Sequence, residues 1–123
     1  MSIERFARIA IINASASATE RAVKMRSLRE SQSRFVKMVG LLIQWATING
    51  FELTLGDAWA KTGHSENSLH YKRLAIDLNL FKDGKYLTET KDHEPLGSFW
   101  KSIGGSWGGD FKNKDGNHYS LGE

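Results

Sequence analysis

Between Leu74 and Phe81 the chain reads Leu-Ala-Ile-Asp-Leu-Asn-Leu-Phe, and an alternation of that kind belongs to a strand with one face buried. Leu74, Ile76, Leu78 and Leu80 share the apolar face, while Ala75, Asp77 and Asn79 take the other. Lys82-Asp83-Gly84-Lys85 follows as a turn signal, so Tyr86-Leu87-Thr88 is expected to return as the hairpin partner. The constraint sharpens at Asp77, a carboxylate in the middle of an otherwise apolar strand, where an unpaired charge is costly. Asp77 therefore needs a partner.

The rest of the chain supplies elements to pack around this strand. From Met25 to Asn49, Leu28, Phe35, Val39, Leu42, Ile43 and Ala46 recur at the steps of an amphipathic helix that stops at Gly50. Phe51 to Leu55 alternates as a half-buried strand, and polar residues 60–68 read as a loop. A short helix is expected from Glu94 to Ile103, entered at Pro95 and ended by Gly104-Gly105. A Gly-rich loop containing Trp107 then leads to a last strand, His118 to Leu121; Phe99 and Trp100 are expected in the core.

With 123 residues, 40% of them hydrophobic, the chain can bury one core and one domain is expected. The absence of Cys excludes disulfides, iron–sulfur clusters and thiol nucleophiles, and leaves any metal to His and carboxylates. Residues 1–37 carry eight Lys/Arg against three Glu, but no nucleic-acid motif accompanies them, so the basic front reads as a solvated helix face. Residues 1–24 loosely imitate a secretory leader, yet Asn13 interrupts the apolar run after Ile9-Ala10-Ile11-Ile12, short of the roughly 7–15 residues a leader needs. Secretion by this segment is not expected. Nor does any stretch approach the roughly 20 apolar residues of a membrane span.

Two pairs of residues carry the chemistry. His70 lies seven residues before Asp77 and can reach a shared ion across a local turn; on spacing alone, Asp77 accepting hydrogen bonds from backbone or from Arg73 serves equally well. Asp115-Gly116-Asn117-His118 places a carboxylate three residues before a His, a spacing that suits a base beside a ligand, although Asp-Gly-Asn is also an ordinary turn. Zinc held by two His and one carboxylate keeps a fourth position for water, and a nearby carboxylate can take that water's proton. His64 and His93 lie in polar stretches and are read as exposed loop residues outside the site.

Taken together and in this order, the pairs resemble a known family. Ser68-x-His70-(x6)-Asp77 and Asp115-x-x-His118 are similar to the two motifs of the zinc D-Ala-D-Ala carboxypeptidases and phage L-alanyl-D-glutamate endopeptidases, the VanY-like peptidases. Trp107-Gly108-Gly109-Asp110-Phe111 resembles a segment common in the phage members. The resemblance implies zinc held by His70, Asp77 and His118, with Asp115 as general base. It also implies an α+β fold of the hedgehog/DD-peptidase kind, a small antiparallel sheet with flanking helices. It runs from about Met25 to Leu121, which makes residues 1–24 an N-terminal extension and 25–123 the zinc peptidase domain.

Family members often carry Arg after the aromatic residue that ends the first strand, where this chain has Ala60 after Trp59. Lys61 and Arg73 are the remaining candidates for a substrate anchor, with Ser68 beside the first ligand and Trp107 lining the cleft. Arg73 also stands where the family frequently has Gly. The implied activity is hydrolysis of peptidoglycan stem peptides by a monomer, as a phage lysis enzyme held in the host cytoplasm until its release to the wall. The competing reading is a non-catalytic module that keeps zinc for stability and binds wall or protein partners; a purely structural site has no need of Asp115.

Overall fold

Ser27 opens the first helix by a reciprocal cap: its hydroxyl accepts from the Glu30 amide at 3.1 Å while the Glu30 carboxylate accepts from the Ser27 amide at 3.4 Å. In this computed structural model, which describes residues 2–5 and 27–122, helix α1 then runs Leu28–Ile48. Its buried stripe is Phe35, Met38, Leu42, Trp45 and Ala46. That differs from the expected stripe at Leu28, which is 52% exposed, and at Ile43, which sits at the solvent edge. Met38 and Trp45 replace them because the stripe centres on the large ring of Trp45, which stacks on Phe99 at 5.1 Å and on Phe51 at 6.4 Å.

The sheet is antiparallel throughout. Strands β1 (Glu52–Leu55), β2 (Ala75–Lys82), β5 (His118–Ser120) and β4 (Ser106–Trp107) lie side by side in the order β1-β2-β5-β4, and β3 (Lys85–Leu87) pairs with β2. The β2–β3 hairpin turns on Asp83 and Gly84, both at positive φ, as a two-residue turn between right-twisted strands requires. β2 is central: its second half pairs with β1, and its first half pairs with β5.

Helix α2 (Glu94–Ser102) begins with Pro95 in its first turn and covers the sheet together with α1. Leu74, Ile76, Leu78 and Leu80 meet Leu42, Trp45, Phe99 and Trp100 in one core, against which Ile3 also packs, partly buried. The opposite face of β2 carries Asp77 and Asn79. The strand at Ser106–Trp107 was expected to be loop; its glycine neighbours admit a buried indole where larger side chains would exclude it. No described helix is long and apolar enough to cross a membrane.

Candidate active site

His70 is delivered by a single 3-10 turn, Leu69–Lys72, immediately before β2. The Ser68 hydroxyl caps that turn by accepting from the His70 amide at 3.2 Å, so Ser68 positions His70 through its backbone. Arg73 closes the turn at φ +58°, the left-handed region that favours glycine, which gives a physical reason for the family's Gly at this position. Asp77 then projects from β2 directly across from His118 on β5, and cross-strand partners share a face.

The three side chains meet in a near-equilateral triangle. His70 Nε2 lies 3.2 Å from Asp77 Oδ1 and 3.2 Å from His118 Nδ1, and His118 Nδ1 lies 3.5 Å from Asp77 Oδ1. Asp77 Oδ1 is buried and has no hydrogen bond, although two imidazole nitrogens stand beside it. Lone pairs crowded in this way call for a positive centre among them. Tetrahedral zinc with bonds of about 2.0–2.2 Å sets its ligands about 3.3–3.6 Å apart, and the observed edges fit. Burial lowers the pKa of His70 despite the opposing pull of Asp77, so the imidazole stands neutral with its lone pair available.

Asp115 stands outside the triangle, with Oδ2 4.0 Å from His118 Nδ1 and its side chain half exposed. The turn that carries it is held from the core: the Asp115 amide donates to the Gly108 carbonyl at 2.8 Å, the His118 amide to the Asp115 carbonyl at 3.1 Å, and the Trp107 indole to the Gly116 carbonyl at 2.7 Å. A Cβ at Gly108 would collide with the Asp115 carbonyl and with His118, so only glycine lets the two segments approach this closely. Trp107 is therefore not a cleft residue as expected. It is 6% exposed, packed between Gly97 and Gly109, and serves as the clamp on the Asp115 turn.

The remaining expected substrate contacts and loop histidines are placed as follows. Lys61 and Arg73 lie over the exposed ring of Trp59, at 5.3 and 4.4 Å, as a cation–π cluster. His64, expected to be a free loop residue, stacks on His70 with centroids 4.1 Å apart and contacts Asp57 Oδ2 through Nε2 at 2.9 Å. The Tyr71 hydroxyl fixes this loop by donating to the His64 carbonyl at 2.7 Å and accepting from its amide at 2.8 Å. His93 is likewise buried, not exposed, with Nδ1 2.8 Å from the Tyr119 hydroxyl. Burial lowers the His93 pKa and raises that of Tyr119, so both are neutral. A cavity of about 210 Å³, unforeseen in the sequence, opens beside Asp115 between β2, β3 and the segment 114–117.

Residues 62–121 match the family described as D-alanyl-D-alanine carboxypeptidase. That stretch holds His70, Asp77, Asp115 and His118. The fold is shared with the crystal structure of Serratia marcescens L-Ala D-Glu endopeptidase ChiX, at a TM-score of 0.62 and 17% identity, over 77% of this chain and 83% of that one. No curated protein matches the sequence.

Proposed function

We propose that the chain is a zinc-dependent peptidase that hydrolyses peptidoglycan stem peptides at an L-Ala–D-Glu or a D-Ala–D-Ala bond. The observation that carries this reading is the His70–Asp77–His118 triangle with a half-exposed carboxylate, Asp115, 4.0 Å from one corner. Zinc bound there supplies Lewis acidity, polarising a carbonyl and drawing the pKa of a water towards about 7. His70, Asp77 and His118 would hold the ion, their single carboxylate charge offsetting its own only in part.

Asp115 does the proton work. Its carboxylate takes a proton from the attacking water and returns it to the leaving amine, the base and acid halves of one cycle. The core-held turn keeps that carboxylate beside the ligands without making it one. The family match and the likeness to an L-Ala D-Glu endopeptidase support the substrate class.

Mass spectrometry of fragments released from purified peptidoglycan, with and without chelator, tests the proposal. Chelator-sensitive release of stem-peptide fragments is expected. Undiminished cleavage by metal-free protein, or no cleavage by protein loaded with zinc, would end it.

A further inference from the structure

A stem peptide cut at either bond carries a free carboxylate close to the scissile amide, and the site needs a cation to receive it. Among the described lysines and arginines near the site, Lys61 and Arg73 lie over Trp59, and Lys101 is paired with Asp110 at 2.9 Å. Lys72, Lys112 and Lys114 form no ion pair with any described residue, and of these three Lys114 lines the cavity beside Asp115. That cavity is smaller than the roughly 300–1,000 Å³ of a site that encloses a whole ligand, so it suits one part of a longer substrate.

Its walls are mostly polar: Asn79, Asn117, Tyr86 and Thr90 line it together with Lys114 and Asp115, with Leu78 and Leu87 as the apolar part. Such walls suit a charged group better than an apolar side chain. Asp115 at the rim repels an anion, so a carboxylate can settle there only where a nearby cation offsets that repulsion. Buried His93, neutral, does not supply the charge. We propose that Lys114 anchors a substrate carboxylate in this cavity, on the Asp115 side of the scissile bond, and so sets the specificity of the enzyme. The inference rests on the peptidase reading and adds to it a subsite and the residue that defines it.

The test uses the zinc-loaded full chain and a soluble stem peptide containing L-Ala–D-Glu and ending in D-Ala–D-Ala, together with two analogues in which the D-Glu or the terminal carboxylate is a carboxamide. The wild type is expected to lose about tenfold in kcat/KM on one of the two amides, mainly through KM, and to tolerate the other. Lys114→Ala should raise KM for the parent peptide by a similar factor at nearly constant kcat, and should erase the discrimination between acid and amide. Lys114→Arg should restore most of it, and Lys112→Ala, at an exposed lysine two residues away that does not line the cavity, should change nothing. Equal turnover of all three peptides by the wild type, or a Lys114→Ala enzyme that still discriminates, would overturn the assignment. So would a loss confined to kcat and shared by every peptide. A zinc-loaded wild type that cleaves none of the three fails earlier and brings down the peptidase reading itself.

Discussion

The two halves of the candidate site are held by different physics. His118 and Asp115 sit on a turn gripped by the core, where Gly108, Gly116, Trp107 and Tyr119 are buried and the hydrogen bonds to the Gly108 and Gly116 carbonyls are shielded from water. His70 sits at the end of a surface stretch whose residues 56–67 are mostly exposed and whose fixings are polar: the Ser68 cap, the Tyr71–His64 bridge and the Asp57–His64 contact. One half is preorganised by packing. The other draws on local hydrogen bonds and, in the proposed enzyme, on the metal itself, so perturbations of the two halves should separate.

The largest separation is expected at Asp115. Asp115→Ala should retain zinc, measured by elemental analysis, and lose about 10²–10⁴-fold in kcat/KM, because the base does not hold the metal. Wild-type turnover by this variant would remove Asp115 from its role. Next comes the clamp: Trp107→Ala should cost about 3–5 kcal/mol of stability in denaturant titration, the usual range for a buried Trp. Trp107→Phe keeps most of the ring but strands the buried Gly116 carbonyl, at about 1–3 kcal/mol.

On the polar half, Ser68→Ala removes a cap worth about 1 kcal/mol. Its effect should appear as weaker zinc binding, up to about tenfold in a competition titration, with global unfolding hardly moved. A large loss of global stability would show that the surface half is as deeply tied to the core as the clamp. The smallest effect concerns pH. His93 has its folded pKa lowered by burial below the ordinary 6.5, so the unfolded chain takes up the proton first as pH falls. Stability is then full above pH 6.5 and declines below it; a thermal scan of metal-free protein from pH 7.5 to 5 should show a falling Tm, and His93→Gln should flatten the slope.

Local patterns made much of the fold legible. The alternation of 74–81, the Asp83-Gly84 turn and the Pro95 helix start each have a cause within a few residues, and each element stands where that cause puts it. The four motif residues could likewise be picked out together because each pair is short-range and its order resembles a family pattern; their meeting in space is a matter of the β2–β5 register. Trp107 was misread because Gly-rich sequence signals loop, whereas here the glycines are small so that an indole can fill the space beside them. His64 and His93 were misread for a related reason. Both belong to polar sequence, and their contacts depend on partners brought in by the fold, His70 and Asp57 for the partly buried His64, Tyr119 for the buried His93.

The stack of Lys61 and Arg73 on Trp59 has a spectroscopic consequence. Of the four tryptophans, Trp45, Trp100 and Trp107 are buried, while Trp59 is 47% exposed and lies on the surface half of the site. Its fluorescence should be the red-shifted component of the emission and the first to yield to a water-soluble quencher. Because two cations flank it, an anionic quencher such as iodide should reach it more readily than a cationic one such as caesium. The chain thus carries its own optical probe of the segment that leads into His70, readable without a label while metal is added or withdrawn.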